Sequence, residues 1–306
     1  MLRLLPAGSC SAGAIWIDAV DPDDDELDTA AEQLALPDAV VQWLRDTNRA
    51  TRLHELDRTL SFVLPFPDAE ATGAANTDST IIVVMTAHGT LTVHDASLAP
   101  TIDAIADRTN DGDDDRSPLA PTVGLIDEAV NRYEAAIDHL TKVQSAHGTD
   151  VLQSARGTEA PSDIIADSLE LATSVDRVAG RLRRVRQIVV GLRHAVVSVD
   201  APSSLVDSLD GNERAVSTLQ ADLGDLTHRL EIMTDARMSL QSSRQSKINK
   251  TIGAWGGIFA VNAVITGWYG MNIRHLPGAG SWVTVAIIMA SATAFLAALF
   301  RKIDWL

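Results

Sequence analysis

Two uncharged apolar runs near the end of the chain, only 11 residues apart, constrain the fold more than any other feature of the sequence. "TIGAWGGIFAVNAVITGWY", Thr251 to Tyr269, is 19 residues long, and "SWVTVAIIMASATAFLAALF", Ser281 to Phe300, is 20. At about 1.5 Å of rise per residue, either one crosses a hydrocarbon core of about 30 Å as a helix. In lipid the backbone amides must be satisfied within the segment, so helix is the conformation left open to such a run. A buried core helix would account for one run alone. Two of them joined by a short turn read as a membrane hairpin, with spans at about 251–269 and 281–300 and an outer loop over 270–280.

Arg244, Lys247 and Lys250 precede the first span, Arg301 and Lys302 follow the second, and the turn carries only Arg274 and His275. Basic residues favour the cytoplasmic side, so both flanks, and with them both termini, are expected in the cytoplasm and the turn outside a cell membrane. Trp268, Trp282 and Trp305 fall at the depth of interfacial aromatics; Trp255 does not.

The first span holds more small and polar residues than an anchor needs. Plotted at the helical angle, Asn249, Ile252, Gly256, Ala260, Ala263 and Gly267 share one face, which in a ring of identical helices would line a narrow channel. Gly253 and Gly257 form a GxxxG pair, which explains the small residues equally well by tight helix packing. Spacing alone leaves both readings standing.

The chain as a whole is acidic, with a net charge of −16, and Lys142, Lys247, Lys250 and Lys302 are its only lysines. Such a surface repels nucleic acid and attracts cations; a saline cytoplasm would select the same surface for its hydration. The lone Cys10 has no partner for a disulfide and no surrounding ligand cluster. The eight histidines are scattered, and no HExxH, P-loop or nucleophile elbow is present, so an enzyme is not expected. "MLRLLPAGSCSAG" lacks the apolar middle of a secretory signal and is assigned to the folded protein.

Three parts follow from the patterning: an α/β domain over 1–117, a long-helix stalk over 118–250 and the transmembrane domain over 251–306. In the first, "AIWIDAV", "LSFVLPF", "TIIVVMTA" and "GTLTVHD" read as strands, and "DDELDTAAEQLAL" and "PDAVVQWLRD" as short helices. "AHGT" joins two of the strands in a hairpin, with Gly89 supplying the positive φ of a tight turn. "DRTNDGDDDRSPLAP" reads as the closing linker. Long amphipathic helices are predicted from Pro121 to about His147, from Pro161 to about Val197, and from Pro202 onward. The second carries the stripe Ile165, Leu169, Leu171, Val175, Val178, Leu182, Val185, Ile188 and Leu192. Its "GRLRRVRQ" is the one basic knot, read as a solvated face.

"YGMN", Tyr269 to Asn272, closing the first of two final spans and followed by an ending "FRKIDWL", resembles the signature of the CorA family of divalent-cation channels. "AIWIDAVDPDDDELDTAAEQLAL", "HELDRTLSFVLPFPD" and "GTLTVH" are similar in content and order to that family's cytoplasmic domain. The resemblance implies an α+β/α membrane protein: an N-terminal cytoplasmic α/β domain, a helical stalk and a two-helix hairpin, assembled as a funnel-shaped homopentamer in membrane lipid. It implies that Gly270, Met271 and Asn272 form the selectivity motif, with a ring of Asn272 carbonyls binding hydrated Mg²⁺. It further implies that Asn249, Ile252, Gly256, Ala260, Ala263 and Gly267 line the pore, Ile252 being its apolar constriction. The proline often found midway along the family's first span is absent, Val261 and Asn262 standing there.

The same resemblance implies passive influx of Mg²⁺, with Co²⁺ and Ni²⁺ as further cargo, held shut by intracellular divalent ions between neighbouring cytoplasmic domains. "DARMSLQSSRQSKINK" places one regulatory ligand at Asp235, and Asp68 or Glu70 in "PFPDAEA" is its partner from the next subunit. The family's zinc-transporting branch and a non-conducting membrane-tethered scaffold are the alternatives. Zn²⁺ prefers Cys and His, and neither lies on the proposed face.

Overall fold

The structure is a computed structural model that describes residues 1–5, 15–46, 53–56, 58–67, 79–111, 119–154, 163–197, 202–270 and 282–305. Asp68, Glu70, Met271 and Asn272 lie outside the described residues. The chain divides into two compact units, Met1–Leu230 and Glu231–Leu306.

In the first unit, strands β1 (Leu2–Leu5), β2 (Ile15–Val20), β3 (His54–Leu56), β4 (Thr59–Phe66), β5 (Ser79–Met85) and β6 (Gly89–His94) form one sheet. Its order is β1-β2-β6-β5-β4-β3. β2 and β6 are parallel and every other neighbouring pair is antiparallel. Both faces of the sheet are covered. Trp16, Phe62, Leu64, Phe66, Ile81 and Val83 point to a core shared with the long helices; Ile17, Val63, Ile82, Val84 and Leu91 point to a second core under the short helices α1 (Asp24–Leu34) and α2 (Asp38–Arg45). Burial on both faces is why "TIIVVM" is continuously apolar instead of alternating.

The acidic start of α1 has a local cause. Asp23 caps the helix by accepting from the Glu26 amide at 2.8 Å, while Glu26 accepts from the Asp23 amide, so two otherwise orphaned donors are satisfied. β5 and β6 form the predicted hairpin, but Gly89 is the first residue of β6 at φ 159°, near extended, and not the left-handed residue of the turn; close approach is what demands glycine there. A Cβ at this position would stand 1.9 Å from the Ile15 carbonyl oxygen of β2. Pro65 lies past the last residue of β4 that β3 pairs, and its carbonyl accepts from the Tyr133 hydroxyl at 3.1 Å, tying β4 to α4 (Ala120–Ser154).

Where β1, β2 and β6 meet, a charged network is buried. Asp18 Oδ2 accepts from Arg3 Nη2 at 2.6 Å, and Asp18 Oδ1 accepts from Thr92 Oγ1 at 2.7 Å and from His94 Nε2 at 2.9 Å. His94 Nδ1 donates to the Asp95 carbonyl at 2.6 Å. A carbonyl and a carboxylate only accept, so both ring nitrogens carry hydrogen and His94 is an imidazolium. Arg3 reaches on to Asp103 in α3 (Ala99–Asp111) at 2.9 Å, so one network ties the first strand to the sheet and to a helix.

Burial opposes both charges. Hydrogen bonds from His94, Thr92 and Arg3 outweigh it at Asp18, whose carboxyl sits below its ordinary pKa, and the hydrogen bond and charge of Asp18 hold the His94 imidazolium above its own.

The chain after 118 is helical: α4, α5 (Asp163–Val197) and α6 (Ser203–Gly270), followed by α7 (Trp282–Lys302). Residues of α4, α5 and the first part of α6 share the core of the sheet, Tyr133, Leu182, Val189 and Val216 being fully enclosed. Three expectations change. The segment assigned to the closing linker is helical as far as Asp111, because α3 packs Ile102, Ile105 and Ala106 into that core. β1 and β3 are strands the patterning did not resolve, each of four residues or fewer. Leu169 leaves the α5 stripe and is 69% exposed, because it falls on the opposite side of the helix from Leu171, Val175 and Leu182.

Replacing Asp18 with Asn leaves the buried His94 imidazolium without its counter-ion and Arg3 with Asp103 alone, so a loss of roughly 3 kcal/mol is expected in thermal unfolding of the detergent-solubilised protein. The network's contribution falls away at both ends of the pH scale: as pH drops through the lowered pKa of Asp18, and as pH rises through the raised pKa of His94. His94→Gln should flatten the alkaline limb and leave the acid limb in place; a pH–stability curve that keeps both limbs would refute the assignment.

Candidate functional site in the paired apolar helices

The second unit contains the later part of α6 and all of α7. Two helical stretches, Ser242–Gly270 and Trp282–Lys302, are long and apolar enough to cross a membrane, and 11% and 0% of their most apolar windows are buried within the chain. A core helix of a soluble protein would be covered; these expose Trp255, Phe259, Val264, Ile287 and Phe295.

The two helices pack through one side of α6. Ala254 and Ile258 are buried there. Asn262 Nδ2 donates to Thr293 Oγ1 at 2.9 Å and to the Ile258 carbonyl at 3.0 Å, and Thr266 Oγ1 lies 3.7 Å from Met289 Sδ. A Cβ added at Gly257 would meet Phe300 Cζ at 3.3 Å, and one at Gly253 would meet Trp305 Cζ3 at 3.7 Å. Gly253 and Gly257 are therefore the packing pair, with aromatic rings laid against them.

Asn249, Ile252, Gly256, Ala260, Ala263 and Gly267 lie on the far side of α6 from Ala254, Ile258 and Asn262, and all six are exposed in the single chain. Ile252 is 65% exposed, and a Cβ at Gly256 or Gly267 would meet nothing within 4 Å. Packing within the hairpin thus falls to Gly253 and Gly257, while Gly256 and Gly267 meet no neighbour in the single chain. Asn249 also lines an open groove with Ser242, Gln245, Ser246, Lys250, Gly253 and Trp305. Gly270 is the last residue of α6, so the helix extends to include it.

Asp235 is exposed on α6. Among the described residues no three His, Cys, Asp or Glu side chains are placed to hold a metal. The bond from Asn262 to Thr293 and the seat of Phe300 and Trp305 on the glycine pair were not read from the sequence. Their signal was present: in an antiparallel hairpin partner positions add to a constant, and Asn262 with Thr293 gives the same sum as Thr266 with Met289.

The model of the CorA-like Mg²⁺ transporter protein family matches residues 11–302. The chain, an α/β sheet domain with long helices and a bare-faced pair of apolar helices, belongs to this family. A curated relative, the cobalt/magnesium transport protein CorA of Methanocaldococcus jannaschii, is 35% identical over 95 residues, 29% of this chain and 30% of that protein. The solved structure of the CorA magnesium transporter from the same organism matches with a TM-score of 0.77 at 20% identity, covering 96% of this chain and 92% of that one. The full-length CmaX protein matches with a TM-score of 0.70 at 13% identity, covering 99% and 97%. The ZntB cytoplasmic domain from Vibrio parahaemolyticus matches with a TM-score of 0.57 at 10% identity, covering 76% and 88%. At these identities the three structures establish the fold.

Thr293→Val removes the bond across the hairpin while leaving Asn262 its Ile258 carbonyl, so a loss of about 0.6 kcal/mol is expected in detergent unfolding. A loss as large as that of the buried Asp18 network would show that Asn262 does more than fasten the two helices.

Proposed function

We propose that this protein is a homopentameric channel of the cell membrane that admits hydrated Mg²⁺ to the cytoplasm, with Co²⁺ and Ni²⁺ as further cargo. The observation that carries the reading is the bare face of α6. Ile252, Gly256, Ala260, Ala263 and Gly267 are turned away from α7 and have no partner surface in one chain, and five such faces around an axis enclose a narrow conduit. Family membership supports the cargo, since the curated relative is named for cobalt and magnesium.

Mg²⁺ surrenders water reluctantly and prefers octahedral oxygen, which favours a mouth of neutral carbonyls recognising the hydrated ion. Asn272 supplies that carbonyl in this reading, with Gly270 and Met271 carrying the chain away from the axis. Small side chains keep the conduit wide enough for the water shell, and Ile252 closes it by dewetting. A membrane potential drives influx, worth about 2.3 kcal/mol per charge per 100 mV. Both termini are cytoplasmic, as the flanking Arg244, Lys247, Lys250, Arg301 and Lys302 require. Zn²⁺ is disfavoured as cargo because no Cys or His stands on the bare face.

Asn272→Ala should abolish Mg²⁺ entry into proteoliposomes loaded with a Mg²⁺ dye; unchanged flux overturns the mouth. Zn²⁺ taken up in preference to excess Mg²⁺ would move the chain to the zinc branch, and a native mass of one or two chains would make it a scaffold.

Regulation by cytoplasmic Mg²⁺ would act through Asp235, with Asp68 or Glu70 of a neighbouring copy completing the oxygen set, since the described part of one chain does not supply it. Millimolar Mg²⁺ is then expected to slow protease cleavage near Asp235 in wild type and to have no such effect in Asp235→Ala. Protection that survives the substitution places the ion elsewhere.

A further inference from the structure

The residues following α7 make a contact that neither the family motif nor the proposed conduit uses. Beyond Lys302 the chain turns back: Ile303 donates its amide to the Leu299 carbonyl at 3.2 Å, Asp304 takes φ 60°, and the Trp305 amide donates to the Phe300 carbonyl at 2.9 Å. This is a helix stop of the Schellman kind, in which the residue after a left-handed position bonds back across the last turn and makes an apolar contact with the residue it bonds to. Phe300 and Trp305 make that contact as a stack, with ring centroids 5.8 Å apart and planes 13° from parallel. Aspartate is among the few L-residues that tolerate the left-handed conformation, so the residue at 304 suits the turn it makes.

The stack does not lie idle on α7. Its two rings meet the two glycines of α6: Phe300 Cζ is 3.3 Å from the place of a Gly257 Cβ, and Trp305 Cζ3 is 3.7 Å from that of Gly253. The glycines stand one turn apart, so Phe300 lies close over Gly257 and Trp305 stands at ordinary contact distance from the place a Gly253 side chain would take. Gly253 follows Ile252 directly, while Ile252 itself points into open space and is 65% exposed. A roll of α6 about its axis at this level therefore displaces Ile252, and a roll that carries Gly253 toward α7 meets the Trp305 ring.

We infer that the stacked Phe300 and Trp305 side chains are a wedge in the Gly253 and Gly257 notch that fixes the rotation of α6, so that Trp305 is the positioning residue for the Ile252 constriction. The inference rests on the reading of α6 as the conduit helix. Removing the Trp305 ring empties the notch at Gly253 and frees α6 to roll, which turns Ile252 relative to the axis. A phenyl ring at 305 keeps the stack and most of the fill. A methyl at Gly257 acts on the same notch from the other side, since a contact of 3.3 Å forces Phe300 to shift by a few tenths of an ångström.

The test exploits the single native cysteine, Cys10. In a Cys10→Ser background, Ile252→Cys is placed in the full-length protein in proteoliposomes. The rate at which a cationic methanethiosulfonate reagent modifies position 252 is measured with and without Mg²⁺, together with Mg²⁺ flux and native mass. Trp305→Ala is expected to change the modification rate in Mg²⁺ by about fivefold, with mass unchanged and Trp305→Phe close to the parent. Gly257→Ala should shift the same rate even if Trp305→Ala fails to assemble. Equal rates in the parent and in whichever of the two variants assemble overturn the wedge while leaving the conduit standing. If modification at 252 alters flux in no background, the conduit reading fails, and the wedge with it.

Discussion

Lipid tails are as apolar as leucine, so a helix in a bilayer gains nothing by hiding its hydrophobic side chains against another helix. Close contact and hydrogen bonding are what remain to hold α6 to α7, and the second unit is organised around that restriction. Where the helices touch, α6 presents Gly253, Ala254, Gly257 and the amide of Asn262, and α7 answers with Phe300 and Thr293. Aromatic rings against glycine give more contact per residue than two surfaces of medium side chains, because nothing on the glycine side holds the ring away.

The same restriction explains why the opposite face of α6 differs from a lipid-facing one. α7 turns Trp282, Ile287 and Phe295 outward, large side chains suited to acyl chains. α6 turns Gly256, Ala260, Ala263 and Gly267 outward, which offer lipid little contact and would leave the backbone thinly covered. Such a face is better matched by other α6 helices around a water-filled axis, the arrangement proposed for the assembly. In the first unit the demands are those of water: the acidic surface stays solvated, and the charges taken inside at Asp18, His94 and Arg3 are retained because each meets an opposite charge or a fixed dipole.

How much of this was legible in the sequence follows from the range of the interactions. The hairpin, the long helices and the four principal strands arise from local periodicity, and the α6 face from helix geometry alone, so each could be read without coordinates. β1 escaped because four residues, "LRLL", carry no pattern of their own; Leu2–Leu5 is a strand through its pairing with Trp16–Ala19 and the reach of Arg3 to Asp18 and Asp103. His94 looked like one scattered histidine, since its partner Asp18 is 76 positions away. Leu169 fits the stripe by its spacing of four from Ile165, but it stands only two residues before the buried Leu171, which on a helix is the opposite side. The division of labour among the glycines was unreadable for a different reason: GxxxG spacing says that a backbone approaches, and not what fills the gap.

Asn262 shows why a polar group is kept in so apolar a place. Its Oδ1 has no partner among the described residues, which in hydrocarbon is a cost, and a leucine would avoid it. Two helices of alanine, glycine, isoleucine and leucine, however, can slide past one another by a turn with little change in contact. A hydrogen bond from Asn262 to Thr293 exists at one register only, and each slipped register leaves the amide less satisfied than before. That one register is also the one that brings Phe300 and Trp305 onto Gly257 and Gly253. The polar pair in mid-span and the aromatic pair at its end thus select the same alignment, the first by hydrogen bonding and the second by shape. Together they leave α6 one rotation in which its small-residue face is free.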